Sequence, residues 1–164
     1  MVVVHKQVIQ GMIMTSGDKP FIIRKALSDD IDGIKQLADQ HKTELGFVIR
    51  GALMKSINQG QLLVALDDRG KVVGFNQYRH RKDQQTTLYN IVVAEELRRS
   101  GIGSALLDEL CIDASSAGKE TIFLKCPQEL PSNSFYESYG FTLLDVEQGK
   151  NRPLSLWQFH LEDA

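Results

Sequence analysis

One hexapeptide, RRSGIG at residues 98–103, lies where a predicted strand gives way to a predicted helix. The run before it, Thr86–Val93, has the composition of a strand, and Ser104–Gly118 after it repeats apolar residues at helical spacing. A further apolar run, Thr121–Cys126, follows the helix. Because a strand, a crossover helix and a second strand of one sheet place the two strands in parallel, this stretch predicts a sheet with a parallel pair.

The rest of the sequence predicts antiparallel strands and helices. The runs Gln61–Leu66 and Lys71–Arg79 are separated by Asp67–Gly70, a spacing typical of a hairpin. Further predicted strands are Phe21–Ala26 and the antiparallel pair Phe141–Asp145 and Leu154–Leu161. The other predicted helices are Ser28–Leu45, with Ser28 as its N-cap, Ala52–Asn58 and Ser132–Gly140. The helix after the hexapeptide ends at Gly118 as its C-terminal cap, and one face of it carries the apolar residues Ile102, Ala105, Leu106, Leu110 and Ala114. We therefore predict a mixed α/β fold with a mostly antiparallel central sheet, a parallel pair and flanking helices.

The length of the chain favours one folded domain. Its 164 residues are 42% apolar, which suffices for a single buried core. The stretch Thr15–Pro20 has the composition of a linker. We therefore expect a single domain over residues 21–164, preceded by residues 1–20 as a leader or an extra strand.

Charge and cysteine content limit the kinds of molecule that the protein is expected to bind and the compartment in which it is expected to work. A net charge of −2 and a pI near 6.1 give no general attraction to nucleic acid or to an anionic membrane. Cys111 and Cys126 both lie inside apolar runs, which predicts free thiols in a reducing, cytoplasmic setting. The apolar N-terminus is too short to span a bilayer, and no His, Cys, Asp or Glu cluster has the spacing of metal ligands. We expect neither membrane, nucleic acid nor metal as a partner.

The hexapeptide itself suggests an anion site. The first amides of a helix have no intrahelical partner, and the helix dipole adds partial positive charge there. Gly101 and Gly103 carry no side chain that would block a phosphate, while Arg98 and Arg99 add cationic donors. We expect main-chain N–H groups from Arg99 to Ser104 to hold a diphosphate. The alternative is a tight turn flanked by solvated arginines.

Two better-known glycine-rich loops do not fit. A P-loop requires a lysine and then Ser or Thr after its second glycine, whereas Ser104 and Ala105 follow Gly103. A dinucleotide-binding loop requires a third glycine at the position that Leu106 occupies. The spacing therefore excludes both classes.

The loop, together with the strand ending at Val93 and the segment FYESYGF at Phe135–Phe141, resembles the GNAT superfamily of acyl-CoA-dependent N-acyltransferases. The resemblance covers residues 21–161, with Arg98, Gly101 and Gly103 at the defined places of the family pattern. It implies that the parallel pair is splayed and that the pantetheine arm of acetyl-CoA lies in the gap. The residues it places at the cofactor are Ile91, Val92, Val93, Arg98, Arg99, Ser100, Gly101, Ile102, Gly103, Ser104, Asn133 and Tyr136.

The resemblance also implies the chemistry. An amine attacks the thioester directly, a backbone amide near Val93 polarises the carbonyl, and Tyr136 protonates the departing thiolate. With an ordinary pKa of about 10, a phenol is matched to a thiolate of similar basicity. Some members carry a glutamate where this chain has Thr87, which cannot act as a base. The open alternatives for the base are water relayed by Tyr89, or the side chain of His41, Glu44 or His80.

The acceptor pocket is the least determined part of the site. The resemblance places Gly46–Gly51, Asn76, Tyr78 and Tyr89 around it, and Phe47 fits either a pocket wall or core packing, with core favoured. The expected function is transfer of acetyl from acetyl-CoA to a primary amine of a small molecule or a peptide. The alternative is a non-catalytic acyl-CoA-binding regulatory module. The terminal strands leave a homodimer open.

Overall fold

A computed structural model of the chain describes residues 7–9, 12–14 and 19–164. The chain divides into two compact units. Unit 1 comprises the described residues up to Gln77 together with Asn90–Glu109, and unit 2 comprises Tyr78–Tyr89 and Leu110–Ala164. The elements are considered below unit by unit, and some of them contribute residues to both.

The strands of unit 1 follow one another in the sheet in the order of the sequence. They are β1 (Gln7–Ile9), β2 (Met12–Met14), β3 (Phe21–Lys25), β4 (Leu62–Asp67), β5 (Val72–His80) and β6 (Gln85–Val93), the last two continuing into unit 2. The first four pairings are antiparallel, which confirms the predicted hairpin between β4 and β5. The linker residues 15–18 lie outside the described part of the chain, and the domain boundary near Phe21 stays a prediction.

The turn between β4 and β5 shows why this hairpin forms. The Asp67 carboxylate accepts hydrogen bonds from the amides of Arg69 and Lys71, each at 2.9 Å. Gly70 has φ +79°, a left-handed conformation that glycine adopts without a steric penalty. The aspartate and the glycine of the predicted turn therefore both have a structural role.

The helix predicted over Ser28–Leu45 is interrupted. The chain forms a 3-10 turn at Ser28–Asp30, then α1 (Ile31–Gln40) and a short α2 (Lys42–Leu45). His41 between the two helices has φ −120° and ψ 30°, and its Nδ1 donates a 3.0 Å hydrogen bond to the Leu37 carbonyl. This non-helical backbone conformation ends α1, so the prediction of one continuous helix was wrong.

Asp30, rather than the predicted Ser28, stabilises the entry to α1. Its carboxylate accepts a 2.7 Å hydrogen bond from the Leu27 amide and pairs with the Arg24 guanidinium at 2.6 Å. The same guanidinium holds the pKa of Asp30 below its usual value, although partial burial acts in the opposite direction. Ser28 is the first residue of the 3-10 turn, and Leu27 occupies the cap position before it.

Two further helices begin in unit 1. They are α3 (Arg50–Asn58) and α4 (Ile102–Ser116), whose last residues belong to unit 2. The predicted stripe of α4 is buried along its whole length: Ile102 is 2% exposed, Ala105 3%, and Leu106, Leu110 and Ala114 are 0%. Gly118 ends this helix with φ +76°, and the Lys119 amide after it donates to the Ala114 carbonyl at 3.0 Å. The prediction of the stripe and of the glycine cap is confirmed.

Unit 2 contains the parallel pair. Its further elements are β7 (Thr121–Pro127), α5 (Ser132–Tyr139), β8 (Thr142–Gln148) and β9 (Pro153–His160), with the sheet order β6-β7-β9-β8. The register of the parallel β6–β7 pairing covers Gln85↔Thr121 to Thr87↔Phe123, and β9 is antiparallel to both β7 and β8. The predicted fold class is confirmed: a mixed α/β fold with a mostly antiparallel sheet, one parallel pair and flanking helices.

Candidate functional site

The first four residues of the hexapeptide, Arg98–Gly101, form a strained loop directly before α4, and its last two are the first residues of the helix. The Ala94 amide fixes the end of β6 by donating a 2.8 Å hydrogen bond to the Val73 carbonyl, and a 3-10 turn at Glu95–Leu97 follows. Arg99 has φ +66° and Gly101 has φ +89°. Among the residues that the structure describes, Arg99 is the only non-glycine residue with a positive φ. Two residues in close succession therefore have a left-handed backbone conformation just before the helix.

The start of α4 presents backbone donors that the helix itself leaves without a partner. The Ala105 amide donates a 3.0 Å hydrogen bond to the Gly101 carbonyl, which is the first bond of the helical pattern. The amides of Ile102, Gly103 and Ser104 precede that bond and have no partner within the helix. Together with the helix dipole and the exposed side chains of Arg98 and Arg99, they can hold a diphosphate.

β5 fixes the position of α4 at close range. A Cβ atom on Gly74 would lie 3.0 Å from the Val92 carbonyl oxygen and 3.2 Å from a methyl carbon of Ile102, so the helix approaches the sheet where a side chain is missing. Two residues along, Asn76 is fully buried and donates a 3.0 Å hydrogen bond from Nδ2 to the Leu106 carbonyl. Asn76 therefore faces α4 and is not a pocket wall; its Oδ1 has no hydrogen-bond partner among the described residues.

The last residues of β6 alternate in exposure. Val92 is 5% exposed, whereas Ile91 and Val93 are half-buried. Beside them Asn90 donates from Nδ2 to Gln77 Oε1 at 2.8 Å, and Gln77 in turn donates to Ser56 Oγ at 3.0 Å. Unit 1 therefore brings together the predicted contacts on β6 and the loop before α4, with an amide network that the sequence did not predict.

Arg98 already has an anionic partner. Its Nη2 donates to Glu44 Oε1 at 3.1 Å and to Oε2 at 3.4 Å. Both side chains are about two-fifths exposed. Glu44, one of the candidate bases, is therefore engaged by the loop in this structure. The sequence held no signal for this contact, because the two residues lie 54 positions apart.

The predicted proton donor lies in unit 2. Tyr136 on α5 is 7% exposed, and its ring contacts those of Phe135 and Phe141, each at 5.6 Å between centroids. Burial raises the pKa of Tyr136 above its ordinary value, and the neighbouring Cys126 thiol raises it further. The expectation of an unperturbed pKa was therefore wrong: the phenol keeps its proton at neutral pH and is a weaker acid than free tyrosine.

Asn133 is held by hydrogen bonds within unit 2. Its Nδ2 donates to the carbonyls of Pro127, Gln128 and Leu130 at 2.9, 3.2 and 2.7 Å, and its Oδ1 accepts from Trp157 at 2.9 Å. These bonds join the start of α5 to the preceding turn and to β9. The expected contact with pantetheine stays a prediction, since Asn133 has this structural role in any case.

The residues predicted around the acceptor differ sharply in exposure. Phe47 is 82% exposed, so the expectation that it packs in the core was wrong, while the neighbouring Val48 is buried at 7%. Tyr78 is 1% exposed and donates a 2.6 Å hydrogen bond to Asp113, which makes it a core residue of unit 2 and not an exposed wall. Tyr89 is 48% exposed, and its hydroxyl accepts a 3.3 Å hydrogen bond from Arg81.

The two histidine candidates for the base are both bonded within the protein. His41 is buried and donates to the Leu37 carbonyl. His80 Nε2 donates to Asp113 at 3.1 Å, while its Nδ1 lies 2.8 Å from Thr86 Oγ1. Thr86 is fully buried, whereas the side chains of His80 and Asp113 are 18% and 25% exposed, so this chain of carboxylate, imidazole and hydroxyl groups is partly buried. Asp113 was missed because no pattern in the sequence linked it to His80.

The remaining predictions concern thiols, metals and membranes. Cys111 and Cys126 are buried thiols that are not part of a disulfide, as predicted. Within residues 7–9, 12–14 and 19–164 no group of three or more His, Cys, Asp and Glu side chains is placed to hold a metal ion. No helix in the same part of the chain combines the length and the apolar character needed to cross a bilayer.

Two comparisons by sequence agree with this site. Residues 58–143 match the family model of the acetyltransferase (GNAT) domain. The curated protein 5-NmdU N-acetyltransferase from Pseudomonas phage PaMx11 is 28% identical over 131 residues, which cover 78% of this chain and 91% of that protein. The segment matched by the family model includes both the loop before α4 and the helix that carries Tyr136.

Solved structures share the fold. Ard1 from Thermoplasma volcanium aligns with a TM-score of 0.77 and 20% identity, covering 85% of this chain and 97% of that chain. Aminoglycoside 6'-N-acetyltransferase complexed with coenzyme A aligns with a TM-score of 0.74 and 18% identity, again covering 85% and 97%. The match of the family model to residues 58–143, over the loop and α5, therefore identifies the chain as a member of the GNAT acetyltransferase family.

Proposed function

We propose that this protein transfers an acetyl group from acetyl-CoA to a primary amine. The observation that carries the proposal is the set of amides at the start of α4 that have no partner within the helix. They follow a loop with two left-handed residues and are flanked by Arg98 and Arg99. A diphosphate is the ligand whose charge and size suit such a helix start. The aminoglycoside acetyltransferase with the same fold is complexed with coenzyme A, which supports this choice of donor.

Acetyl-CoA supplies the activated acyl group as a thioester. Main-chain N–H groups from Arg99 to Ser104 hold its diphosphate, with the side chains of Arg98 and Arg99 as a supplement. The backbone of Ile91, Val92 and Val93 lies along the pantetheine arm. This part of β6 ends at Val93, directly before the turn that leads into the loop. The backbone amide near Val93 polarises the thioester carbonyl.

Tyr136 donates a proton to the departing sulfur. A phenol is protonated at neutral pH and is therefore available as a donor, although the raised pKa of Tyr136 makes it a weaker acid than free tyrosine. The raised pKa also makes it unfavourable for Tyr136 to lose its proton before the sulfur begins to leave. We therefore assign to Tyr136 a hydrogen bond that strengthens as the sulfur gains negative charge, with the proton passing as the thiolate leaves.

The amine loses its proton to water near Tyr89. The bonds already made by His41 and His80 within the protein argue against both imidazoles as bases. Tyr89 is half-exposed on β6 and can order a water molecule at its hydroxyl. The similarity of this chain to the phage 5-NmdU N-acetyltransferase adds 5-NmdU to the small amines and peptide amines that the chain is proposed to acetylate.

An assay of thiol release from acetyl-CoA tests the proposal. The purified protein is incubated with a panel of small amines, a lysine-containing peptide and 5-NmdU. We expect turnover with at least one of these acceptors and a loss of about 10- to 1000-fold in kcat for Tyr136→Phe. Coenzyme A affinity of Tyr136→Phe, measured by calorimetry, is the control and should change little.

The assay also separates the competing function. Tight binding of coenzyme A with no turnover on any acceptor would favour a non-catalytic acyl-CoA-binding module. This alternative is considered because Thr87 stands where some family members have a glutamate. Absence of coenzyme A binding would contradict both functions. We place the reaction in the cytoplasm, where acetyl-CoA is available and the buried thiols Cys111 and Cys126 remain reduced.

The proposal includes a homodimer formed through β8. This strand ends the sheet order, and three of its apolar side chains are substantially exposed: Leu143 at 48%, Leu144 at 51% and Val146 at 40%. An edge strand with exposed apolar side chains is suited to pairing with a second copy of itself. The corresponding prediction is given in the Discussion.

A further inference from the structure

Gly74 on β5 lies where the end of β6 and the beginning of α4 come together. A Cβ atom at this position would be 3.0 Å from the Val92 carbonyl oxygen, 3.2 Å from a methyl carbon of Ile102 and 3.3 Å from one of Leu106. A side chain here would therefore push the helix or the strand outward by a few tenths of an ångström. The missing side chain thus sets how closely α4 approaches β6.

These two elements carry the two halves of the proposed coenzyme A site. Ile102 is the first residue of α4, and its amide belongs to the group proposed to hold the diphosphate. Val92 belongs to the part of β6 proposed to lie along the pantetheine arm. The end of β6 is also tied to β5 next to Gly74, because the Ala94 amide donates a 2.8 Å hydrogen bond to the Val73 carbonyl. Both halves therefore take their positions from one short segment of β5.

Asn76 holds α4 two residues further along the same strand. Its side chain is 0% exposed, and its Nδ2 donates a 3.0 Å hydrogen bond to the Leu106 carbonyl. Its Oδ1 has no hydrogen-bond partner among the described residues. A buried acceptor without a partner destabilises the folded state, and a leucine of similar size would avoid that cost. An amide at this position is therefore better explained by its hold on α4 than by stability.

We infer that Gly74 and Asn76 align the two halves of the coenzyme A site, so that one cofactor molecule contacts both halves at once. This inference rests on the proposed function. Both residues are buried, so they are positioning residues that act through the placement of α4 against β6. A ligand that spans two sites gains affinity over its fragments only when the sites have the spacing that the ligand requires. A shift of α4 should therefore weaken coenzyme A more than a fragment that occupies one half.

Coenzyme A and ADP separate alignment from binding at one half, because ADP carries a diphosphate without the pantetheine arm. Their dissociation constants are measured for the native protein and for Gly74→Ala, by calorimetry for coenzyme A and by NMR titration for ADP. We expect Gly74→Ala to bind coenzyme A about 10-fold or more weakly, and ADP within about 2-fold of the native protein. A loss for ADP as large as that for coenzyme A, or no loss for either, would overturn the inference.

Gly33→Ala is a matched control for crowding against β5. Gly33 lies in α1, and a Cβ atom there would be 2.8 Å from a methyl carbon of Val72. The added methyl group thus disturbs the packing of a different helix on the same strand. We expect the affinities for both ligands to stay unchanged. If Gly33→Ala weakens coenzyme A as much as Gly74→Ala does, a general loss of packing explains both results and the inference is wrong.

Asn76→Leu tests the second residue, and it decides the matter if Gly74→Ala fails to fold, as judged by circular dichroism. Leucine removes both the hydrogen bond to α4 and the unpartnered oxygen, so the free energy of unfolding should change little. The affinity for coenzyme A should still fall about 3-fold or more, with that for ADP within about 2-fold. Native affinity for coenzyme A in this variant would contradict the role of Asn76. A native protein that does not bind coenzyme A, or binds it without binding ADP, would instead contradict the proposed diphosphate site, so the two failures can be told apart.

Discussion

The indole nitrogen of Trp157 donates a 2.9 Å hydrogen bond to Oδ1 of Asn133, joining β9 to the beginning of α5. The Asn133 side chain also donates to the Pro127 and Leu130 carbonyls at 2.9 and 2.7 Å. One amide therefore fixes the helix that carries Tyr136 to a strand and to the turn that precedes it. Its loss should affect both stability and the placement of α5.

Replacing Asn133 with alanine should destabilise the protein by about 1–3 kcal/mol, because the Trp157 indole N–H is buried and would lose its acceptor. Urea denaturation measures the change. In a Trp157→Phe background the donor is absent, so the same substitution should cost less. If Asn133 contacts pantetheine as well, folded Asn133→Ala should also bind coenzyme A more than 3-fold more weakly; equal costs in both backgrounds would contradict the structural role.

Replacing Gly103 with valine should weaken coenzyme A binding by more than 10-fold, because a branched side chain at the second residue of α4 stands where the diphosphate is proposed to approach the backbone. Calorimetry measures the loss. Gly51, the second residue of α3, provides a matched control: a Cβ there would meet nothing within 4 Å. Gly51→Val should leave the affinity unchanged, and an unaffected Gly103→Val would rule out the proposed diphosphate site.

The buried phenol of Tyr136 should make the protein sensitive to alkali. Below pH 10 the phenol is protonated in both the folded and the unfolded chain. Above that pH the unfolded chain ionises it while the folded chain, in which burial raises its pKa, resists, so stability falls as pH rises. The free energy of unfolding of native protein should drop relative to Tyr136→Phe by up to about 1.4 kcal/mol per pH unit. Parallel denaturation profiles from pH 9 to 11 would argue against such burial.

A charged residue on β8 should separate the proposed homodimer. Light scattering of the native protein is expected to give about twice the chain mass of 18.4 kDa, and Leu144→Lys is expected to give a single chain. Ile112 on α4 is 60% exposed and offers a control of the same kind, since Ile112→Lys should leave the dimer intact. A monomeric native protein, or dimers in all variants, would exclude an interface through β8.

The local patterns of the sequence were sufficient for most of the fold. Thr86–Val93, the helix after it and Thr121–Cys126 predicted the parallel pair, because a single crossover helix between neighbouring strands favours the parallel direction. The glycines at 70 and 118 marked a turn and a helix end, since both positions require a positive φ. These features depend on residues close together in the chain, which is why the sequence alone predicts them.

Contacts between distant segments were not predictable in the same way. Arg98 and Glu44, or His80 and Asp113, meet only through the folded arrangement of each unit, and no spacing rule joins them. The break at His41 and the exposure of Phe47 also failed to follow from periodicity. Periodicity indicates which face of an element is apolar, but it does not indicate where contacts with other segments end a helix.

The left-handed conformation of Arg99 has a consequence for the loop before α4. A residue with a side chain at φ +66° destabilises the folded state by about 1–2 kcal/mol relative to glycine. At this position Arg99 contributes a positive charge beside the start of α4. Stability and ligand attraction thus pull in opposite directions at this one residue. A protein engineered for heat resistance alone would be expected to lose its arginine first.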